Sequence, residues 1–343
     1  MRYWTGVVLM AVLLNGSCVH HSLFHADRKT LRKADTTQHL KPIARNSLEW
    51  WYFNGHLHDG FGREYAFHTA LFRRYAFPFR PVWMSNTALA DLANDTVIRH
   101  YHFYTNREIR RTTDSALSLQ AQALGMALRK DGWTLDAHEA SYDLQLRGNS
   151  LIPPVPMAES GIIQFGRKRA GYLSMPWLQW HGSLRLGDSC VQVSGSGWFD
   201  RQWSALKLTG RRYTWNWLSL EHDSFRLMVF GMYDRRKDSM YLQATTVLRE
   251  GQMQYHALES WMFAGSEPLE NRSDNRPFPQ MWQLWIPEMD LKVCMKSRVE
   301  DAVITLRALR HPFMTYWEGP VSAWGIYRGE VFHSRGFIEL TRH

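Results

Sequence analysis

The pattern of apolar and polar positions along the chain predicts an all-β protein in which one unit occurs twice. In each copy an aromatic strand leads into a His-Asp turn, an apolar strand follows, and a pair of arginines ends the unit. The first copy occupies residues 49–74 and the second occupies 215–236. Short apolar runs bounded by turn residues are typical of antiparallel hairpins, so the repetition predicts two copies of one β domain.

The end of each half of the chain indicates the same duplication. Residues 180–200 and 317–339 each predict a hairpin that ends with glycine, an aromatic or apolar pair and an acid, which is Asp200 in the first half and Glu339 in the second. Each half contains enough short strands for a closed or nearly closed antiparallel barrel.

The predicted domains are 41–207 and 208–343, and a polar, His-rich tether over 19–40 precedes them. The alanines and leucines of 115–128 suit either a helix or an alternating strand. Gly125 favours the strand.

Composition narrows the class of protein. A chain of 343 residues with 45% apolar residues is long enough for two domains with their own cores, and 14% aromatic residues suit large cores or apolar pockets. The net charge of +9 is scattered along the chain, which indicates a solvated surface facing anionic material such as lipid headgroups. No nucleic-acid-binding motif, dinucleotide fingerprint or phosphate loop is present, so we predict neither a nucleic-acid partner nor a cofactor.

The first 18 residues are typical of an export signal. Arg2 precedes an apolar run over 7–14, and small residues lead to Cys18. This arrangement resembles a bacterial lipobox, in which cleavage would leave Cys18 as the lipidated first residue. Ordinary signal cleavage nearby, or a short membrane anchor, are the alternatives. We expect an exported protein of the cell envelope, facing the periplasm or held at the outer membrane.

Two further cysteines remain after Cys18. Cys190 and Cys294 would fall in different domains, so a bond between them would link the two halves in an oxidising compartment. Two buried free thiols are the alternative.

Asp200 is the strongest candidate for chemistry. On a strand Trp198, Asp200 and Gln202 share one face, because side chains alternate. If that face is the barrel interior, desolvation raises the pKa of the carboxyl and makes it a usable proton donor near neutral pH. Aromatic rings would stabilise a carbocation formed by protonating a double bond. The alternative is that Asp200 pairs with an arginine and locks the hairpin.

Other residues are weaker candidates for the same site. Glu49 would be a second carboxylate near Asp200, or a barrel-edge acid bonded to an arginine; Tyr172 would be a second catalytic group, or a hydrogen-bonded core residue. The residues predicted to contact a ligand are Trp51, Phe53, Trp198, Gln202, Trp217 and Glu318.

The 16 histidines do not predict a metal site. His56 and His58 would share a strand face, but no cluster has a recognisable zinc spacing, and we predict no metal. The Gly-x-Ser-x-Gly elbow of many hydrolases is also missing.

Four separated motifs resemble one known family, the AttH-like proteins and carotenoid 1,2-hydratases, whose members are often labelled predicted secreted hydrolases. The motifs are 49–57, 171–176, 197–203, and a C-terminal pair at 316–319 and 335–341. The resemblance covers about 41–343. It implies two tandem lipocalin-like antiparallel β-barrel domains, a hydrophobic ligand and, in the hydratase branch, addition of water to an isoprenoid double bond, with Asp200 as the proton donor.

Three functions from different classes fit these observations. The first is a lipid-anchored binding protein that holds a lipid or isoprenoid-like molecule in or between the barrels and works beside a membrane transporter. The second is an enzyme, a hydratase or hydrolase that uses Asp200 as general acid. The third is a structural envelope lipoprotein whose barrels are filled by side chains.

Overall fold

A computed structural model describes residues 34–43, 48–74, 81–112, 115–165, 168–204, 213–258, 262–269, 278–308 and 311–341. Almost all regular structure in these ranges is β, which confirms the all-β prediction. The helical segments described are two 3-10 turns, Gln38–Leu40 and Pro287–Met289, and one four-residue α-helical turn, Ala158–Gly161. None of these helices has the length and apolar content that crossing a bilayer would take.

The first sheet has twelve strands in the order β4-β3-β2-β1-β12-β11-β8-β7-β6-β5, and β9 and β10 pair with β11. The bounds are β1 Leu48–Asp59, β2 Glu64–Arg74, β3 Val82–Asp91, β4 Thr96–Thr105, β5 Leu117–Gln120, β6 Leu124–Arg129, β7 Gly132–His138, β8 Tyr142–Ser150, β9 Val155–Pro156, β10 Ile162–Phe165, β11 Lys168–Leu186 and β12 Ser189–Ser204. The strand interpretation of 115–128 is therefore confirmed.

The second sheet has ten strands in the order β16-β15-β14-β13-β22-β21-β19-β18-β17, and β20 pairs with β21. The bounds are β13 Tyr213–Glu221, β14 Phe225–Asp234, β15 Ser239–Leu248, β16 Met253–Ala257, β17 Met262–Leu269, β18 Phe278–Ile286, β19 Leu291–Ser297, β20 Val303–Ala308, β21 His311–Tyr327 and β22 Glu330–Thr341.

The two sheets follow one plan. In each, the strand that opens the repeat (β1 or β13) lies between the second strand of its hairpin and the last strand of the half (β12 or β22). The chain groups into two compact units, one of 1–89, 98–208 and 308–311, the other of 90–97, 209–307 and 312–343. The boundary predicted at residue 207 falls in 205–212, outside the described residues.

Apolar side chains fill the interior of the first unit. Phe53 lies 4.7 Å from Phe199 and 5.1 Å from Trp133 between ring centroids, and Trp51 stacks on Trp83 at 5.7 Å. All five rings are buried in one continuous core. The centre of this barrel is therefore occupied by its own side chains.

Part of the predicted tether packs on the first unit. Ala34 and Leu40 belong to the buried core, and the indole nitrogen of Trp51 donates a hydrogen bond of 2.7 Å to the carbonyl of Leu40. The predicted tether, although polar in composition, therefore contributes two apolar side chains to the core of the first unit. Residues 19–33 of the tether lie outside the described residues.

Both cysteines after Cys18 are free thiols in the structure. Cys190 is exposed and Cys294 is partly exposed. Neither the predicted bridge nor the predicted burial of both thiols is found.

Candidate functional site

Side-chain alternation gives the central strands of the first sheet two distinct faces. Phe199, Arg201 and Trp203 of β12 point into the apolar core, where Phe199 and Trp203 are members of the core cluster. The intervening residues Trp198 and Asp200 point to the opposite face. We call this opposite face of β1, β2, β11 and β12 the polar face, because it carries buried polar side chains: Asn54, His56, His68, Ser174, Asp200 and Gln202.

Asp200 lies at the centre of the polar face and accepts three hydrogen bonds. The Tyr172 hydroxyl donates to Oδ2 at 2.5 Å, and the Trp198 indole nitrogen donates to Oδ1 at 2.7 Å. The Ser174 hydroxyl also donates to Oδ1. The register explains the arrangement, because Ser174 of β11 is the direct cross-strand partner of Asp200 and Trp198 lies two residues away on the same strand.

Burial raises the pKa of Asp200 from 3.8 to about 6, although the hydrogen bonds from Ser174, Tyr172 and Trp198 oppose the shift. Removing a carboxylate from water disfavours its charged form, and three donors compensate only in part. Within the described parts of the chain no arginine or lysine forms an ion pair with Asp200. The arginine partner that sequence analysis gave as the alternative is therefore not found in these parts. The carboxyl therefore exchanges its proton close to neutral pH.

Further polar groups surround Asp200 on the polar face. Tyr52 is its cross-strand partner on β1, and the Asn54 amide nitrogen donates to the Tyr52 hydroxyl at 3.2 Å. The Asn54 side-chain oxygen is buried and has no hydrogen-bond partner among the described residues. Buried acceptors are almost always satisfied, so this oxygen indicates a place for a water molecule or a ligand hydroxyl.

His68 lies next to Asn54 in the sheet and remains neutral. Its ring stacks with Tyr52 at 6.4 Å, and burial, with a smaller effect of Arg99, lowers its pKa to about 3. It is therefore an uncharged imidazole at physiological pH. His56, two residues beyond Asn54 on the same face, is also buried.

The structure does not bring Glu49 to Asp200. Glu49 points into the core face, where its carboxylate lies 3.2 Å from Nη2 of Arg201 and 3.4 Å from Nη1 of Arg73. Its oxygen also accepts a hydrogen bond from the backbone nitrogen of Ile43 at 2.9 Å. This is the arginine-bonded arrangement that sequence analysis gave as the alternative for Glu49.

The other predicted contact residues separate into three groups. Trp198 and Gln202 share the face of Asp200, and Gln202 is the cross-strand partner of Tyr172. Trp51 and Phe53 lie in the core face and are packed there against other rings. Trp217 and Glu318 belong to the second unit.

The second unit repeats the arrangement with different chemistry. Its Glu339 occupies the place of Asp200, and its cross-strand partners are Trp217 on one side and Glu318 on the other. The indole nitrogen of Trp215 donates to Glu339 at 3.0 Å. Glu318, which is buried, therefore stands where the first unit has Ser174.

Sequence reasoning missed two features of the first unit. Ser174 was not selected, although its place in the Tyr-Ser-x-Pro motif, two residues after Tyr172, puts it on the same strand face. A cluster of His100, His102 and Glu139 was missed as well. The His-x-His spacing on one strand was a usable signal, but the distant Glu139 gave none.

Chemically, the site around Asp200 offers a proton and a polar setting for a reacting water. A neutral carboxyl with a pKa near 6 donates a proton, and its conjugate base takes one back. The hydroxyl of Tyr172 contacts the same carboxyl. Asn54 supplies a fixed acceptor on the same face.

Comparison with known proteins gives one family and several relatives. Residues 32–342 match a family model described as AttH-like. Among curated proteins, a dehydratase of Emericella nidulans named AsqC is 24% identical over 223 residues, which are 62% of this chain. The matched region covers 63% of that relative, so it spans less than two thirds of the relative's length.

Two solved structures share the fold. One, from Nitrosomonas europaea, is described as a candidate AttH; it is 21% identical, the match covers 90% of this chain and 97% of that one, and the TM-score is 0.79. The other is kievitone hydratase from Nectria haematococca, 15% identical, with a match that covers 92% and 94% of the two chains and a TM-score of 0.72. These similarities confirm the predicted fold of two tandem lipocalin-like β domains.

Proposed function

The chain belongs to the AttH-like family, and we propose that it is a hydro-lyase that adds water to, or removes water from, a carbon–carbon double bond in an apolar substrate. The observation that carries the proposal is the buried carboxyl of Asp200, whose pKa is raised to about 6 and which has hydrogen-bond donors but no cation beside it in the described residues. Such a group is suited to general acid catalysis near neutral pH.

The names of the similar proteins support this reaction class. One relative is a dehydratase and one solved structure is a hydratase. Hydration and dehydration are the two directions of one reaction, and both require a group that protonates carbon or a hydroxyl. Asp200 is the acid that the first unit offers for that step.

In the hydration direction the proton of the Asp200 carboxyl is transferred to one carbon of the double bond. The electron pair of the π bond forms the new C–H bond, and the other carbon becomes a cation. A water oxygen forms a C–O bond with that cation, and the surplus proton of the water returns to the Asp200 carboxylate. Atoms and charge balance without a cofactor, and dehydration is the reverse sequence. A trisubstituted, isoprenoid-type double bond suits this route because it gives a tertiary cation.

Four residues of the polar face have roles in this scheme. The 2.5 Å contact between Tyr172 Oη and Asp200 Oδ2 allows the tyrosine hydroxyl to relay the proton. It would accept the proton of the carboxyl while it gives its own proton to the carbon of the double bond. The Asn54 side-chain oxygen, which has no hydrogen-bond partner in the described parts of the chain, would accept a hydrogen bond from the reacting water or from the substrate hydroxyl. The aromatic side chains of Tyr52 and Trp198 on the same face would stabilise the cation.

The test uses solvent isotopes. Purified protein is incubated with a carotene and, separately, with the tertiary alcohol linalool, in D2O and in water labelled with ¹⁸O. We expect deuterium on carbon and ¹⁸O in the alcohol product, or alkene from the alcohol, and a loss of about 10²–10⁴-fold in rate for Asp200→Asn. Asp143→Asn is the matched control, because Asp143 is a partly exposed carboxylate bonded to His138. Equal rates for Asp200→Asn and the wild type would contradict the assignment.

The lipid-anchored carrier remains the second proposal, and it rests on the lipobox-like sequence that ends at Cys18. In that case the polar face would hold a largely apolar molecule, whose hydroxyl would donate a hydrogen bond to the Asn54 side-chain oxygen. The protein would neither add water to this molecule nor remove water from it. The envelope location and the partnership with a membrane transporter belong to this proposal. Binding of linalool without its conversion to an alkene and without incorporation of either isotope would favour it.

A further inference from the structure

A cluster of metal-binding side chains lies in the first unit, away from Asp200. His100 and His102 lie two residues apart on β4, so their side chains share one strand face, and Glu139 lies in the turn after β7. Their ligand atoms all lie within 4.8 Å of one another. His102 Nε2 is 2.8 Å and His100 Nδ1 is 3.9 Å from the same oxygen, Oε2 of Glu139.

The two distances from the histidine nitrogens to Glu139 Oε2 lie on either side of the spacing that a metal ion imposes on its ligands. In a tetrahedral zinc site with bonds of about 2.0–2.1 Å, two ligand atoms lie roughly 3.3 Å apart. The two histidine nitrogens lie within 4.8 Å of each other, so binding one ion would bring them closer by up to about 1.5 Å, which the rotation of two partly exposed rings allows. Imidazole nitrogen and carboxylate oxygen are both common zinc ligands.

Neighbouring hydroxyl groups hold two of the three ligands in place. The other oxygen of Glu139 accepts a hydrogen bond from the Thr87 hydroxyl at 2.7 Å, which leaves Oε2 directed at the histidines. The other ring nitrogen of His100 lies 2.7 Å from the Ser141 hydroxyl. Histidine ligands of metals usually bond a second group through their free nitrogen, which fixes the ring and its tautomer.

Burial distinguishes this cluster from an accidental surface group. The Glu139 side chain is only 1% exposed, whereas those of His100 and His102 are 24% and 41% exposed. A buried carboxylate needs a compensating positive charge, and the two half-open imidazoles leave a path by which an ion and a water molecule reach it. Three protein ligands with one open position are the arrangement of zinc sites that keep a bound water.

We propose that His100 Nδ1, His102 Nε2 and Glu139 Oε2 bind one divalent transition-metal ion of the zinc class, with water as the fourth ligand. The ion would join β4, at one end of the strand order, to the turn between β7 and β8, near the other end. It would thereby fasten the two sides of the first barrel to each other.

The experiment is a calorimetric titration of the tag-free, chelator-treated full chain with zinc chloride, accompanied by thermal melts. We expect about one zinc ion per chain with a dissociation constant of about 1 µM or lower, and a rise in Tm of roughly 5 °C at saturating zinc. His102→Ala and Glu139→Gln should each weaken binding at least about 10-fold and lose the zinc-dependent rise in Tm.

Two controls make the outcome decisive. His138→Ala removes a histidine that is bonded to Asp143 nearby but outside the cluster, so it should bind zinc as the wild type does. Melts without zinc show whether each variant is folded, and His102→Ala, at a half-exposed site, is the safer one. Wild-type affinity in both cluster variants would place the ion elsewhere and overturn the proposal. Absence of zinc binding by the wild type would also overturn it and leave an ordinary His–Glu ion pair.

Discussion

At the scale of single residues, Asp200 and Glu49 show how the two faces of one sheet hold two different kinds of carboxylate. Glu49 points to the core face and forms salt bridges with Arg73 and Arg201. Asp200 points to the polar face and meets only neutral donors in the described residues, so burial raises its pKa to about 6. The first carboxylate stabilises the fold, whereas the second is available for proton transfer.

The first prediction concerns stability against pH. The folded-state pKa of Asp200 is raised from 3.8 to about 6, so its contribution to stability is complete below pH 3.8 and is lost as the pH rises towards 6. The substitution Asp200→Asn removes this loss of stability, because an asparagine side chain does not ionise. We expect the variant to be more stable than the wild type by up to about 3 kcal/mol at pH 8 and to show no gain at pH 3.5. Chemical denaturation at both pH values measures the difference; equal gains at both would contradict the raised pKa.

The second prediction concerns the tyrosine relay. The hydrogen bond from Tyr172 lowers the pKa of Asp200, so Tyr172→Phe should raise that pKa further. Because the proton donor is active only when protonated, we expect the activity of the variant to persist to a pH about 1 unit higher, while the maximal rate falls about 10-fold or more. A pH–rate profile of kcat/KM separates the two effects. An unchanged upper limit would show that Tyr172 does not contact the reacting carboxyl.

At the scale of elements, alternation along β12 and β1 determines which chemistry each face carries. The two-residue periodicity of a strand correctly places Trp198 on the same face as Asp200, and Glu49 on the same face as Trp51. It did not indicate which group turns towards the core, because both faces carry aromatic rings and both are buried. Packing decides the question, since Phe53, Phe199 and Trp133 fill the interior and leave the polar groups on the opposite face.

Arg201 connects three elements, and the third prediction tests this. Its guanidinium lies 4.1 Å from the ring of Trp51, bonds Glu49, and donates to the carbonyls of His39 and Lys41, which holds the segment before β1 on the barrel. Arg201→Met leaves Glu49 buried without this partner. We expect a fall in Tm of roughly 10 °C, since breaking a buried ion pair costs about 3–5 kcal/mol.

A double variant supplies the control for this pair. Arg201→Met combined with Glu49→Leu removes both charges, so it should lose less than the sum of the two single variants. Additive losses in thermal melts would show that the two side chains do not interact.

At the scale of the whole molecule, the sequence predicts the plan better than the site. The aromatic strands, turns and closing hairpins occur twice, and the two sheets show the corresponding strands in the same order. Local patterns suffice for this because hairpins are made by neighbours in the chain. The contacts of Glu139 with His100 and His102 join residues far apart in sequence, and no local pattern encodes them.

The fourth prediction concerns location. If Cys18 is lipidated, the wild type should incorporate labelled palmitate and sediment with membranes, and Cys18→Ala should do neither. A single buried acyl chain gives only weak attachment, so lipoproteins of this kind carry more than one. Membrane association of Cys18→Ala without label would contradict the anchor, and Cys190→Ala serves as the matched control because Cys190 is an exposed thiol outside the lipobox-like sequence.

The most direct test of the central claim is native mass spectrometry of the molecule that the protein retains when it is purified from its own cells, wild type beside Asp200→Asn. If Asp200 is the proton donor of a hydro-lyase, the two forms should hold molecules that differ by one water, with the unreacted partner in the variant. The same molecule in both forms would contradict catalysis by Asp200 and would make the protein a carrier.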